Sequence, residues 1–283
     1  MKDYSHYGPA YKGFTVNDDV FVPYPMEDFP ADNPHTMMIK VRGHVRDLVF
    51  DDTYPYLDKS LKFRINRFFV YTVVRVIVFT VTRVYYGLRI EGRKNLRNNR
   101  HLLRDGAMTI CNHIGRWDMI SVLQATQHPS WIPMYRNSFM GKDGYLMKHV
   151  GGIPVPEDRS GLRCFNEAFD ELHRRKQWIH IFPESCSWKY YSPVRPFKIG
   201  AFNMAYKYNM PIIPCVISFR ERKGFFRIFR TNEPLMTIHI GEPVLPDTSC
   251  PRKVEAARLR ELCHARMVEM AGIVHNTWPA AID

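Results

Sequence analysis

The chain has no CxxC pair among its six cysteines, at 111, 164, 186, 215, 250 and 263, and its N-terminus, MKDYSHYGPAYKG, has no apolar signal core. Those two absences predict free thiols in a reducing, cytoplasmic compartment. HExxH and closely spaced Cys/His pairs are also missing, so no metal site is expected. There is no internal repeat and no low-complexity tract. Negative charge is scarce: 28 Asp plus Glu stand against 40 Lys plus Arg, a formal balance of +12. Such a balance predicts an anionic partner, whether nucleic acid, an anionic membrane surface or a phosphorylated substrate. Without a helix-turn-helix, RNP or zinc-finger signature, nucleic acid is the weakest of the three.

What is present begins with length. At 283 residues the chain can bury a full core and form one large α/β domain with an appended segment. Residues 1–60 are rich in Pro, Asp and Tyr without a sustained helical period. They read as loops or packing arms of unassigned role, with a short strand at Met37 to Val41. Phe68 to Tyr86, FFVYTVVRVIVFTVTRVYY, is the most apolar stretch and is about long enough to cross a bilayer. Arg75 and Arg83 interrupt it, and each arginine near a bilayer centre costs about 2.5–3.5 kcal/mol, which disfavours a simple span. On a helical wheel Arg64, Arg75 and Thr82 fall together, flanked by Arg67 and Thr72, opposite a broad face of Phe, Val and Ile. That pattern predicts an amphipathic helix over 61–88 lying in the membrane interface, arginines toward lipid phosphates; a soluble core helix with snorkelling arginines is the alternative.

From Arg89 a polar connection leads into alternating strands and helices. Strands are predicted at Ala107 to Cys111, Trp131 to Met134, Gly152 to Val155, Trp178 to Phe182, Ile212 to Phe219 and Met236 to Ile240. Helices are predicted from about Trp117, near Lys142 to His149, over Gly161 to Arg174, Phe197 to Tyr208 and Arg252 to His275. The order implies an α/β fold, a sheet flanked by helices, filling residues 89–283. The basic aromatic stretch Phe219 to Arg230, FRERKGFFRIFR, turns at Gly224 and reads either as a membrane-touching or as a solvated hairpin.

The stretch that carries chemistry is NHIGRWD, Asn112 to Asp118. Within one helix, five residues turn through roughly 500°, so His113 and Asp118 would diverge. They meet only if the chain changes structure between them. A buried strand to Cys111, a turn at Gly115 and a helix from Trp117 provide that change. The result is a base with its orienting carboxylate, the minimum equipment for deprotonating a hydroxyl.

Three later stretches make this signal specific: GGIPVPEDR at 151–159, FPESCS at 182–187 and PIIPC at 211–215. In this order the four blocks resemble those of the glycerolipid acyltransferase family, NHxxxxD, a GxxFIxR-type block, FPEGTRS and a proline-containing strand, over about residues 89–245. The resemblance implies that family's fold, a mixed sheet flanked by helices. It makes His113 the catalytic base and Asp118 its partner, and has Glu184 and Arg159 arrange the phosphorylated acceptor while Pro214 shapes the acyl channel. Arg116 and Lys198 are further candidate phosphate contacts, and backbone N–H groups near Gly115 are candidates for an oxyanion hole. Two departures bear on the acceptor: GGIPVPEDR has two residues more than the family's GGIPVDR, and FPESCS lacks the glycine and arginine of FPEGTRS. Lys189, Arg195 and Lys198 are the cations placed to replace that arginine. A reading in which Cys186 is a nucleophile forming a thioester is the weaker alternative to direct transfer.

The implied reaction is transfer of a fatty acyl group from acyl-CoA or acyl carrier protein to a lysophospholipid hydroxyl, with 1-acylglycerol-3-phosphate as leading acceptor. Another acceptor, a lyso-aminolipid or glycerol 3-phosphate, and a non-catalytic membrane-binding relative are the alternatives. No cofactor is required, and the expected location is the cytoplasmic face of an anionic phospholipid membrane, without crossing it.

Overall fold

The structure is a computed structural model describing residues 1–38, 48–156 and 158–282. Among the described residues, seven of ten strands form one sheet in the order β3-β9-β8-β4-β7-β5-β6. The sheet strands are β3 (Arg89–Glu91), β4 (Met108–Cys111), β5 (Ser130–Met134), β6 (Gly152–Pro154), β7 (Trp178–Ile181), β8 (Ile212–Arg220) and β9 (Leu235–Ile240). β8, β4, β7, β5 and β6 run parallel, whereas β9 is antiparallel to β8 and β3 is parallel to β9. An α/β sheet was therefore legible in the alternation of apolar runs and helical periods, and its mixed strand directions are those that the resemblance implies.

Both faces of the sheet are covered, which is why its strands are nearly continuous apolar runs. The period of two along β8 divides them: Ile212 and Val216 enter one buried cluster, while Ile213, Cys215 and Ile217 enter another. The first face carries the Gly200–Lys207 and Arg252–Met270 helices, which pack on each other. The second carries the Asp118–Thr126 helix, seated over β4 and β9. The C-terminal helix is shorter than its sequence suggests. After Met270 the chain turns at Gly272, whose φ of 69° favours glycine, and Ile273–His275 leaves as a strand, β10.

That strand accounts for part of the N-terminal segment. β10 pairs with β2 (Thr15–Val16), which pairs with β1 (Lys2–Asp3), so the two ends of the chain share a small antiparallel sheet. Tyr11, Phe14 and Phe29 are buried there, with the Phe29 ring stacked on Trp188 at 5.3 Å and the Tyr11 ring edge-on to Tyr191 at 5.0 Å. The strand expected at Met37 to Val41 lies outside the described residues from position 39 onward, and Met37 and Met38 are irregular.

Leu61–Val84 is one 24-residue helix, with Ser60 capping its N-terminus and a π-helical stretch at Val74–Val78. Its orientation departs from the wheel at Arg67 and Thr82. Thr82 is fully buried and donates to Gln124 Oε1 at 2.8 Å; the Arg67 guanidinium lies 4.0 Å over the Trp131 ring. Arg75 reaches back to the Gln127 carbonyl at 3.4 Å. Thr82 and Arg67 therefore face the protein, whereas Arg64, Thr72 and Arg75 are exposed, as are Phe68, Phe69, Val73, Val76 and Ile77, each of these five more than half accessible. The wheel gives relative directions around a helix but not which side meets a partner; here the buried Gln124 acceptor drew Thr82 inward.

Candidate active site

β4 ends at Cys111, and the next residue replaces the strand bonds that the turn would lose. Asn112 donates its side-chain amide to the Ile217 carbonyl at 3.0 Å and accepts from the Ile217 N–H at 2.8 Å, fastening the strand end to β8. The chain then turns through His113 to Gly115, and Asp118 is the first residue of the next helix, where a carboxylate suits the helix dipole. A single oxygen, Asp118 Oδ2, meets three groups: His113 Nδ1 at 2.9 Å, the Ile114 N–H at 2.6 Å and the Gly115 N–H at 2.8 Å. Burial pushes the Asp118 carboxyl above its ordinary range, and the hydrogen bonds from His113 and the two backbone N–H groups pull it back down. An ionised Asp118 places the imidazole proton on Nδ1 and leaves Nε2 as the acceptor. The ring is stacked on Phe182 at 4.1 Å, yet its side chain remains 25% exposed.

Behind the histidine sits a second, fully buried charge. Glu184 Oε2 accepts from the His113 backbone N–H at 2.9 Å and from Arg195 Nη2 at 2.7 Å, while Oε1 accepts from the Arg195 backbone N–H at 2.9 Å. Arg195 also donates to the His113 carbonyl at 3.2 Å, to the Cys186 carbonyl and to the Pro34 carbonyl at 2.9 Å, and lies 4.6 Å over the Trp188 ring. The N-terminal segment closes this cradle. Besides Pro34, Thr36 accepts from Trp188 Nε1 at 2.9 Å, and His35 Nδ1 lies 3.2 Å from the Glu184 carbonyl.

Several predicted residues take other places. Glu184 is buried, with both oxygens committed to the His113 loop and Arg195. The Gly115 and Ile114 N–H groups are directed at Asp118 and are not free for an oxyanion. Arg159 begins the Arg159–Arg174 helix after β6, three strands across from β4, or roughly 14 Å at 4.8 Å per strand. It is exposed there, as the two-residue insertion foreshadows. Arg116 is exposed, with Asp143 at 4.0 Å. Lys198 is exposed beside the FPE turn, which its backbone N–H holds through the Pro183 carbonyl at 2.8 Å. Pro214 is buried in β8 opposite Ile110, a packing position in the sheet. Cys186 is buried against Arg195 Nη1 at 3.1 Å, which removes it from the solvent-facing side where a nucleophile is needed. Among the described residues no cluster of His, Cys, Asp or Glu is arranged to hold a metal ion.

The altered third block also has a conformational cost. Ser185 stands where the family pattern has glycine, and it adopts φ 70°, the left-handed region in which a side chain is strained. Asn112, Phe182 and the Pro34–Thr36 segment were not identified as site-forming from sequence. Asn112 and Phe182 each had a local signal, as the residues that open their blocks.

A family model described as Acyltransferase matches residues 87–218. The chain is similar to the 1-acyl-sn-glycerol-3-phosphate acyltransferase of Salmonella typhimurium (strain LT2), 27% identical over 193 residues that cover 64% of this chain and 72% of the relative. To the protein of that name from Escherichia coli (strain K12) it is 24% identical over the same shares. Among solved structures, the 1-acyl-sn-glycerophosphate (LPA) acyltransferase from Thermotoga maritima shares the fold, with a TM-score of 0.51 at 17% identity, covering 76% of this chain and 84% of that one. With the His113–Asp118 pair and the Glu184 block at the ends of the neighbouring strands β4 and β7, the chain matches the Acyltransferase family model over residues 87–218 and is similar to the 1-acyl-sn-glycerol-3-phosphate acyltransferases.

Proposed function

We propose that the enzyme transfers a fatty acyl group from acyl-CoA or acyl carrier protein to the hydroxyl of a lysophospholipid, foremost 1-acylglycerol-3-phosphate, giving phosphatidate. The observation that carries this is the hydrogen bond between His113 Nδ1 and Asp118, which leaves Nε2 as a base on a partly exposed ring. Nε2 takes the acceptor's hydroxyl proton as that oxygen bonds to the thioester carbonyl carbon. When the carbon–sulfur bond breaks, the imidazolium returns the proton to the departing thiolate. Asp118 holds the ring's tautomer and balances its transient charge, and no covalent enzyme intermediate is needed.

The membrane placement belongs to the same reading. Leu61–Val84 is apolar and long enough to cross a bilayer, but its inner side is docked along the Asp118–Thr126 helix through Tyr71, Val74 and Thr82. A helix fixed lengthwise to the domain lies in the interface, so the protein is monotopic, on the cytoplasmic face of an anionic membrane. An acceptor with another head group is the second reading, favoured by the position of Arg159 beyond β6. The test is turnover of acyl-CoA and acyl carrier protein against a lysolipid panel. Phosphatidate formation that falls by about 10²–10⁴ in His113→Ala is expected. No transfer to 1-acylglycerol-3-phosphate would sink the leading acceptor, and undiminished transfer in His113→Ala would sink the mechanism.

A further inference from the structure

The connection between β8 and β9 carries a short 3-10 turn, Gly224–Phe229, that the acyltransfer chemistry does not use. Its tip is apolar and exposed: Phe225 is 61% and Ile228 68% accessible. Lys223, Arg227 and Arg230 surround them, all exposed. Isolated exposed hydrophobics are ordinary, but this pair is held in place by built contacts. Phe226 occupies the space that a side chain at Gly87 would need, 2.9 Å from where its Cβ would stand, and Phe229 is edge-on to Tyr85 at 5.1 Å. Arg222 donates to the Tyr85 carbonyl at 3.0 Å, to the Phe226 carbonyl at 3.2 Å and to the Glu233 carbonyl at 3.0 Å. The turn is thus fastened to the C-terminal end of the Leu61–Val84 helix, where Val81 and Val84 are also exposed.

We propose that the Gly224–Phe229 turn is a second membrane anchor, inserting Phe225 and Ile228 among the acyl chains of an anionic phospholipid bilayer while Lys223, Arg227 and Arg230 meet its phosphates. The inference rests on the interfacial reading of the helix, whose exposed face it continues, and on the match between a cationic rim and an anionic surface. A helix alone leaves the protein free to roll about the helix axis. A second apolar point beside the helix end removes that freedom and fixes which side of the domain meets lipid. The fixed side is the catalytic one, because Tyr86, which follows the helix, packs its ring 5.4 Å from Trp117 in the His113–Asp118 loop.

The test compares full-length wild type, Phe225→Ser/Ile228→Ser and the helix pair Phe68→Ser/Val76→Ser on vesicles of phosphatidylcholine with and without phosphatidylglycerol. The turn pair is expected to weaken partitioning to anionic vesicles by at least about 10-fold, as the loss of two inserted side chains requires. Its thermal unfolding should be unchanged. Lys223→Gln/Arg227→Gln/Arg230→Gln should reduce the preference for anionic over neutral vesicles, and an unchanged preference would refute the phosphate contact. If the helix pair releases the protein and the turn pair does not, the second anchor is refuted and the interfacial helix stands; if neither does, both are refuted. If the turn pair instead dissolves a lipid-free dimer while vesicle binding is unaltered, the occupant is a second copy of the chain and the membrane proposal fails.

Discussion

The cradle beneath His113 and the outer face of the Leu61–Val84 helix treat polarity in opposite ways. The first draws a glutamate and an arginine wholly out of water and satisfies them largely with backbone groups; the second docks Thr82 and Arg67 inward and leaves Phe68, Phe69, Val76 and Ile77 in the open. The contrast teaches where each region's partner is. Charges buried with full hydrogen bonding fix the geometry of the His113 loop and need nothing from outside, whereas an apolar face without cover is stabilised by something apolar.

The sharpest break of that contrast is in activity. Asp118→Asn keeps an oxygen for the Ile114 and Gly115 N–H groups but loses the charge that sets the imidazole tautomer. Turnover should fall about 10²–10⁴-fold with little change in KM, measured by steady-state kinetics. Next is stability within the cradle. Glu184→Gln leaves the Arg195 guanidinium buried without its counter-charge, and denaturant unfolding should show a loss of about 3–5 kcal/mol.

Acid should weaken the core in a defined window. Burial lowers His180 to about 3 and His264 to about 4, from an unfolded value near 6.5. Between those values the unfolded chain binds more protons, so their contribution is intact above pH 6.5 and declines as pH falls. With both titrating, stability should drop by roughly 2.7 kcal/mol per pH unit toward pH 4. The raised Asp118 carboxyl contributes in the opposite sense, and His264→Gln should halve the slope in pH-dependent unfolding. Ser185→Gly relieves a left-handed side chain and should raise stability by about 1 kcal/mol in the same assay. Val76→Ser, on the open helix face, should change the stability of the lipid-free protein by no more than about 0.5 kcal/mol.

The fold was legible because its strands are short apolar runs separated by turn residues and its helices carry a clear period; β4, β7 and β8 fall within a residue or so of their predicted limits. His113 and Asp118 were legible for a different reason: they are five positions apart, and the strand, turn and helix readable around them let them meet. Glu184 and Arg195 are eleven apart with an irregular loop between them, and no periodicity connects them. The inward places of Thr82 and Arg67 on the Leu61–Val84 helix are not legible locally, because their partners, Gln124 and Trp131, lie far along the chain.

The Pro34–Thr36 segment gives the active site an unusual kind of wall. It meets Arg195 and Trp188 with main-chain carbonyls, which every residue type supplies equally. Its contribution is encoded in the route of the chain and hardly at all in its letters, so single substitutions there should pass almost unnoticed. Shortening the segment by one residue would shift both carbonyls at once, and chain length becomes the inherited trait on which the site depends.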